Sequence, residues 1–399
     1  MNKQKNTIDY TLTRGVEQVI PSKKALSLFM QKNKLTLYQG FDPTSNNLHL
    51  GHMVAFRKLS QFQKLGHRVI FLIGDGTGQA GDPTGKKRTR ESFFTREELL
   101  NNARNYKEVA GKFLDFSGLN PAKMLFNSAW LNELKLLDIL NIAENFSVQQ
   151  LIERDMFQDR LKNSAPINLR EFLYPLLQGY DSVAMNVDLE IGGSDQLFNM
   201  MIGRVLMKNI RNKEKFVLTT KLLEDPNGRK MGKSEGNAIN LMDKPNDIFG
   251  KVMALPDEMM ISATEILTDL PLDFAIGLET INAKKKLAHE IVAEIYSKEE
   301  ADNALLYFEN TFQKRSVPTS METIKVSFTS LSSIALLTKT GVIESNSEAK
   351  RLLKQKAIDI DGEVVSDGQK EIKIKKEGIV VKIGKRKYYK IVKYNEVED

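Results

Sequence analysis

No cysteine occurs among the 399 residues, which excludes disulfides, thiolate nucleophiles and cysteine-ligated zinc at the outset. Histidine is almost as scarce, with four in all, and there is a single tryptophan. No run approaches the roughly 20 apolar residues that span a bilayer. The opening stretch MNKQKNTIDYTLTRG lacks the apolar centre of a secretory signal, so a cytoplasmic protein without a membrane partner is the expectation. What is present is ordinary for a soluble globular protein, with 41% hydrophobic and 27% charged residues. The length suggests two or three domains. The net charge of +7 hints at a polyanionic partner, but its placement along the chain matters more than its sum.

Residues 1 to about 250 alternate short apolar runs with amphipathic stretches. Residues 35–40 (LTLYQG) read as a strand. Residues 51–65 read as a helix, because Ala55, Leu59 and Phe62 recur at i, i+4 and i+7. Residues 67–74 (HRVIFLIG) read as a buried strand. A strand, a helix and a strand in this space predict a βαβ unit and a parallel sheet, with a further short strand at 188–191. Between them, residues 96–184 are almost wholly helical in pattern and read as an insertion. Residues 251–315 read as a helical domain, 316–330 as a polar linker, and 331–399 as a compact unit of two helices followed by basic β-like pieces.

Five motifs carry chemistry. His49-Leu50-Gly51-His52 follows GFDPT at a predicted strand-to-helix turn. A helix start presents free N–H groups to phosphates, and the histidines can donate to phosphate oxygens as charge develops. Alone, they could equally do no more than cap the helix. Lys230-Met231-Gly232-Lys233-Ser234 puts two lysines three apart in a segment entered through a turn, a clamp for a leaving pyrophosphate. It is not a P-loop, because Gly228 and Gly232 have three residues between them where that motif has four. Gly76, Gly78 and Gly81 form a nominal dinucleotide fingerprint, but Asp82-Pro83-Thr84-Gly85 breaks the helix that should follow. Tyr174, Gln178 and Asp181 fall at i, i+4 and i+7, on one helix face, with Pro175 expected in the first turn. Gly192-Gly193-Ser194-Asp195-Gln196 follows a strand, where ribose hydroxyls are often held.

Taken together and in this order, with the first two about 180 residues apart, these motifs resemble those of the class I aminoacyl-tRNA synthetases, and among them the bacterial-type tyrosyl family. The resemblance spans essentially the whole chain. It implies an α/β architecture: a Rossmann-like parallel-sheet catalytic domain over 1–250 with a dimerising helical insertion, a helical tRNA-binding domain, and a small α+β C-terminal domain of S4 type. It implies a ligase that joins tyrosine to ATP, with Mg²⁺ accompanying the nucleotide and no protein metal site, and then transfers tyrosyl to tRNA(Tyr). By the same resemblance Tyr38 and Asp181 would receive the phenol. Asp82, Tyr174 and Gln178 would hold the ammonium with Asn127 nearby, and Gln196 would face the carboxylate. Thr44, His49, His52, Lys86, Arg90, Lys230, Lys233 and Ser234 would serve catalysis. Gly51, Gly193 and Asp195, with the two lysines, would hold ATP. Lys350, Arg351, Lys354, Lys385, Arg386 and Lys387 would meet RNA. The family pattern is departed from at Gly232, where serine is common, and at Leu197, where many members have tryptophan. The alternatives are a tryptophanyl-type synthetase, a small-molecule nucleotidyltransferase, and an RNA-binding protein with an inactive synthetase core.

Overall fold

The apolar residues 69–73 are buried along their whole length, as a central parallel strand is when both sheet faces are covered. In the computed structural model, which describes residues 7–84, 92–225, 228, 231, 238–313, 321–375, 377–384 and 387–394, they belong to β3 (Arg68–Ile73) of a six-stranded sheet. Its other strands are β1 (Val16–Ile20), β2 (Thr36–Phe41), β4 (Lys123–Phe126), β5 (Leu189–Gly193) and β6 (Phe216–Thr220). The order is β1-β6-β5-β2-β3-β4. All neighbours are parallel except β1, which runs antiparallel to β6 at one edge.

Helix Leu50–Lys64 links β2 to β3, and Ala55, Leu59 and Phe62 on its predicted face are all buried. Its next two positions, Arg57 and Lys58, are buried as well, which the amphipathic pattern did not anticipate. Arg57 pairs with Asp269 at 2.7 Å and with Glu294, and Tyr10 donates to the same Asp269 oxygen at 2.8 Å. Arg14 donates to the carbonyls of Thr264, Glu265 and Leu270. These contacts fasten helices Met260–Leu267 and Thr280–Ile295 to the sheet, and residues up to Ala304 form one unit with it.

Three expectations are corrected. The stretch 96–184 is not a purely helical insertion, because β4 lies inside it and pairs with β3. Its four residues are too short for a period to be legible. Pro175 is not in a first turn: helix Leu169–Met185 starts six residues earlier, capped by Asn168, whose side chain accepts from Arg170 N at 2.9 Å. The proline therefore sits inside the helix and leaves the Glu171 carbonyl without an intrahelical donor. The supposed linker 316–330 carries β7 (Glu322–Val326), whose mostly solvent-facing side chains conceal it because it is an edge strand.

In the second unit, Leu305–Asp399, β7 is followed by β8 (Ser330–Ser332), helices Ser333–Lys339 and Asn346–Lys354, β9 (Ile358–Ile360), β10 (Glu363–Val365), β11 (Glu371–Lys373), β12 (Ile379–Ile383) and β13 (Lys387–Lys393). The main sheet has the order β10-β9-β12-β13-β7, and β8 pairs with β11. Leu336, Leu337, Ile358, Val381 and Ile391 make its core.

Arg57 is 6% exposed, and its partners are about a third exposed, at 35% and 34%. Removing one partner of a fully buried pair costs about 3–5 kcal/mol. The wetter partners place Arg57→Ala at or below the bottom of that range, about 2–3 kcal/mol of stability by urea denaturation, and a change below about 0.5 kcal/mol would contradict this anchoring role.

Candidate active site

Strand order reverses between β2 and β5: β3 and β4 lie to one side, β6 to the other. In open parallel sheets ligands bind outside the carboxyl ends of the strands at such a point. A cavity of about 430 Å³ opens there. One part of its wall carries Tyr38, Asp82, Asn127, Tyr174, Gln178, Asp181 and Gln196. Another carries Thr44, His49, Gly51, His52, Gly193 and Asp195. Lys86, Arg90, Lys230, Lys233 and Ser234 lie outside the described residues, but Met231, in the same signature as the last three, borders the cavity. The chain returns from that signature beside the first, with Leu50 N donating to Ile239 O at 3.0 Å and Leu241 N to Leu48 O at 2.9 Å.

His49 is the N-cap of helix Leu50–Lys64, its Nδ1 accepting from Gly51 N at 3.2 Å, and His52 Nδ1 accepts from His49 N at 3.1 Å. The capping reading therefore holds. Each Nδ1 is an acceptor, so a neutral ring carries its proton on Nε2 and remains a donor there. A Cβ on Gly51 would lie 3.0 Å from the His49 ring, so glycine is what lets that ring fold over the helix start. Burial pulls His49 down to about 4 and His52 to about 3, the latter helped by His49.

At the far end, Asp181 is 2% exposed and accepts from Trp130 Nε1 at 2.8 Å and Asn127 Nδ2 at 3.1 Å. Burial pushes its carboxyl well above the usual range, and the two N–H donors oppose that shift. Tyr38 is equally buried and bonds Ser182 Oγ at 2.9 Å, while burial raises its phenol. Asn127 is thus committed to Asp181, and its Oδ1 accepts from Gly76 N at 2.7 Å, so it braces the pocket. Gln178 gives its amide N–H to Glu190 Oε1 at 3.1 Å, and its own carbonyl oxygen is buried with no partner among the described residues. Tyr174 donates to Asp42 Oδ2 at 2.8 Å, and Gln196 Nε2 to Asp82 Oδ2 at 2.9 Å. The nominal dinucleotide fingerprint yields only a four-residue helix, Thr77–Ala80, which Gly81 ends at φ +83°, and Asp82 then reaches the cavity.

Asp42, Thr77, Trp130, Ser182, Glu190 and Lys215 were not foreseen. Two signals pointed to them: Ser182 continues the Tyr174 face at i+8, and Glu190 is a carboxylate within an otherwise apolar strand. In the second unit Lys350, Arg351 and Lys354 lie exposed on one helix, opposite buried Ala349 and Leu353, and Lys387 is exposed at the start of β13. Lys385 and Arg386 lie outside the described residues.

The family described as tRNA synthetases class I (W and Y) matches residues 30–313, and the tyrosine–tRNA ligase SYY-like C-terminal domain matches residues 313–391. The tyrosine–tRNA ligase of Haemophilus ducreyi is 41% identical over 390 residues, covering 95% of this chain and 96% of the relative. That of Carboxydothermus hydrogenoformans is 39% identical over 402 residues, covering 96% of each. The chain belongs to the tyrosine–tRNA ligase family. It is accordingly an enzyme, a class I aminoacyl-tRNA synthetase, and the family uses ATP as a substrate. The fold is shared with a C-terminally truncated mitochondrial tyrosyl-tRNA synthetase of Aspergillus nidulans, at TM-score 0.66 and 22% identity over 78% of this chain and 95% of that one.

The two histidines make native stability acid-sensitive. Their folded values lie below the ordinary 6.5, so as pH falls below that point the unfolded chain takes up protons that the native state refuses. The contribution is fully present above pH 6.5 and is lost as pH falls through about 4 and 3. In His52→Asn the fall of stability between about pH 6 and 4.5 should be shallower by up to about 1.4 kcal/mol per pH unit, one proton's worth. Equal slopes by urea titration at each pH would contradict the neutral state of His52.

Proposed function

We propose that this cavity holds tyrosine with its phenol between Tyr38 and Asp181, and that ATP lies along the helix start at His49–His52 and the glycine turn at Gly193. The reaction is the family's: the tyrosine carboxylate attacks the α-phosphate of ATP to give tyrosyl-adenylate and pyrophosphate, and the terminal ribose of tRNA(Tyr) then takes the tyrosyl group. The observation that carries this reading is one cavity, at the switch point of the sheet, with the buried Tyr38 and Asp181 at one end and a helix N-terminus at the other. The buried, unpartnered Oε1 of Gln178 supports the ammonium site, with Tyr174 and Asp82 as its neighbours on the wall. A phenylalanine in this place would leave the buried Tyr38 and Asp181 groups without the hydroxyl they are built to meet.

The side chains do no covalent chemistry in this reading. They position the two reactants and donate to phosphate oxygens in the transition state, as Nε2–H of His49 and His52 can do at neutral pH without changing charge. Thr44 and the loop residues Lys86, Arg90, Lys230, Lys233 and Ser234 complete the phosphate site. Mg²⁺ would accompany the nucleotide as part of the substrate and neutralise phosphate charge there. The tRNA is met by the basic C-terminal unit. Support there comes from Lys350, Arg351 and Lys354 on one helix, and from Lys382 stacked 5.4 Å over the Tyr388 ring on a sheet face that also carries Lys390. No helix among the described residues is long and apolar enough to cross a membrane, and we assign the reaction to the cytoplasm, where ATP and tRNA meet.

A homodimer is part of the proposal. Leu136, Leu137 and Leu140 on helix Leu136–Ala143 are 73%, 66% and 54% exposed, while Ile142 on the same helix is buried. An exposed row of leucines on a helix whose other side is already buried needs a second covering surface, and an insertion presenting it suits a second copy of the chain.

Amino-acid-dependent ATP–pyrophosphate exchange with all twenty amino acids tests the function. Exchange with tyrosine alone is expected; exchange with tryptophan would overturn the pocket assignment, and none at all would indicate an inactive core. For the dimer, light scattering should give twice the chain mass for the wild type and the single mass for Leu137→Glu with Leu140→Glu. A monomeric wild type would remove that part of the proposal.

A further inference from the structure

Behind the phenol end of the cavity lies an ion pair to which no role has yet been given. Lys215 is 0% and Glu190 2% exposed, and they are in direct contact. Such a pair is weak support for stability, since desolvating both charges offsets most of their attraction. Its neighbours suggest a different use. Lys215 Nζ donates to Ser182 Oγ at 2.9 Å, Ser182 Oγ lies 3.3 Å from Glu190 Oε2, and Ser182 Oγ bonds Tyr38 Oη at 2.9 Å. The other carboxylate oxygen, Glu190 Oε1, accepts from Gln178. One ion pair therefore touches, directly or through Ser182, both Tyr38 and Gln178.

The space for the ammonium is made by glycine. A Cβ on Gly203 would lie 2.5 Å from Lys215 Nζ, 2.9 Å from Ser182 Oγ and 3.3 Å from Glu190 Oε2. Helix Leu197–Arg211 thus passes over the pair with a bare backbone, and any side chain there would displace the lysine.

Counting donors sets the polarity of the chain. Lys215 can only donate, and an ionised Glu190 can only accept. Ser182 has one hydrogen and two lone pairs. It accepts from Lys215 and gives its hydrogen to Glu190, which leaves it a lone pair for Tyr38. With all three Ser182 bonds made at once, Tyr38 is the donor in its bond to Ser182, and its oxygen faces the cavity as an acceptor.

We propose that Lys215, Glu190 and Ser182 are positioning residues for amino-acid selection: they commit the Tyr38 proton inward, so that the pocket meets a substrate phenol with acceptors alone, Tyr38 Oη or Asp181 taking its single hydrogen, and selects an amino acid that can donate. The inference rests on the assignment of this cavity to tyrosine. It also gives Gln178 a fixed orientation, since its N–H is held by Glu190 and only its carbonyl can turn to the ammonium.

The test compares tyrosine with phenylalanine in pyrophosphate exchange, using the full chain and the variants Lys215→Met, Ser182→Ala and Ser182→Thr. Lys215→Met and Ser182→Ala should raise KM for tyrosine about tenfold or more and leave KM for ATP within about twofold. In Ser182→Ala, which leaves Glu190 and Gln178 in place, kcat/KM for phenylalanine, which has no hydroxyl to misplace, should stay within about twofold, so the preference for tyrosine narrows about tenfold. Ser182→Thr keeps the hydroxyl and should restore most of the preference. If Lys215→Met does not fold, Ser182→Ala leaves the ion pair in place and carries the test alone. An unchanged tyrosine KM in folded Ser182→Ala, or an equal loss for both amino acids, would reduce the network to a structural one and overturn the proposal. A wild type that exchanges no pyrophosphate with tyrosine would overturn the cavity assignment and this inference with it. A wild type that does so beside unaffected variants would sink this inference alone.

Discussion

The contact between helix Leu169–Met185 and helix Leu197–Arg211 sets the distance on which the rest of the site depends. Gly179 of the first faces Ile202 and Gly203 of the second, and a Cβ on Gly179 would come within 2.8 Å of Ile202 and 3.0 Å of the Gly203 backbone nitrogen. Close-packed interiors do not absorb such an intrusion without shifting an element. The first helix carries Tyr174, Gln178 and Asp181 into the cavity wall and Ser182 onto Tyr38 of β2 and Glu190 of β5. If the helix stood off by even the width of a methyl group, those four side chains would retreat together. A pair of glycines with no chemistry of their own thus holds the recognition surface in register with the sheet.

Bringing polar groups so close to a buried sheet end removes them from water, and an unpaired one there is costly. The solution is mutual satisfaction. Asp181 is met by Asn127 and Trp130, Asp42 by Thr77 and Tyr174, Asp82 by Thr84 and Gln196, and Glu190 by Gln178, Ser182 and Lys215. Each carboxylate is held in place by neighbours from other elements before any ligand arrives. That arrangement is preorganised, and binding need not spend free energy on ordering it.

Much of this was legible in the sequence wherever a local signal existed. The βαβ unit showed in its periodicity, and β2, β3 and helix Leu50–Lys64 lie within a residue or so of where it put them. Tyr174, Gln178 and Asp181 were foreseen on one face because helical spacing needs no tertiary information. The same spacing mislocated Pro175, since a helix can start well before the segment that carries its motif. β4 and β7 escaped because four- and five-residue strands have no readable period, and β7 is an edge strand whose polar side chains look like those of a loop. Lys215 could not be found by any local rule. Its burial depends on Gly203, Ser182 and Glu190, three residues on three different elements.

The second unit has a property that bears on how the protein comes into being. β13 lies between β12 and β7 in its sheet and pairs parallel with β7, the first strand of the unit in sequence. Sixty residues separate Val326 from Lys387, so this pairing closes a long loop, of the kind that forms late. A chain growing from its N-terminus has the whole catalytic sheet in hand while β7 still waits for β13, its one sheet neighbour among the described residues. Synthesis therefore passes through a stage at which the catalytic unit can fold and the basic unit cannot, and the exposed edge of β7 is unprotected until the last strand emerges. The order of the strands along the gene makes the basic C-terminal unit the last part of the molecule to mature.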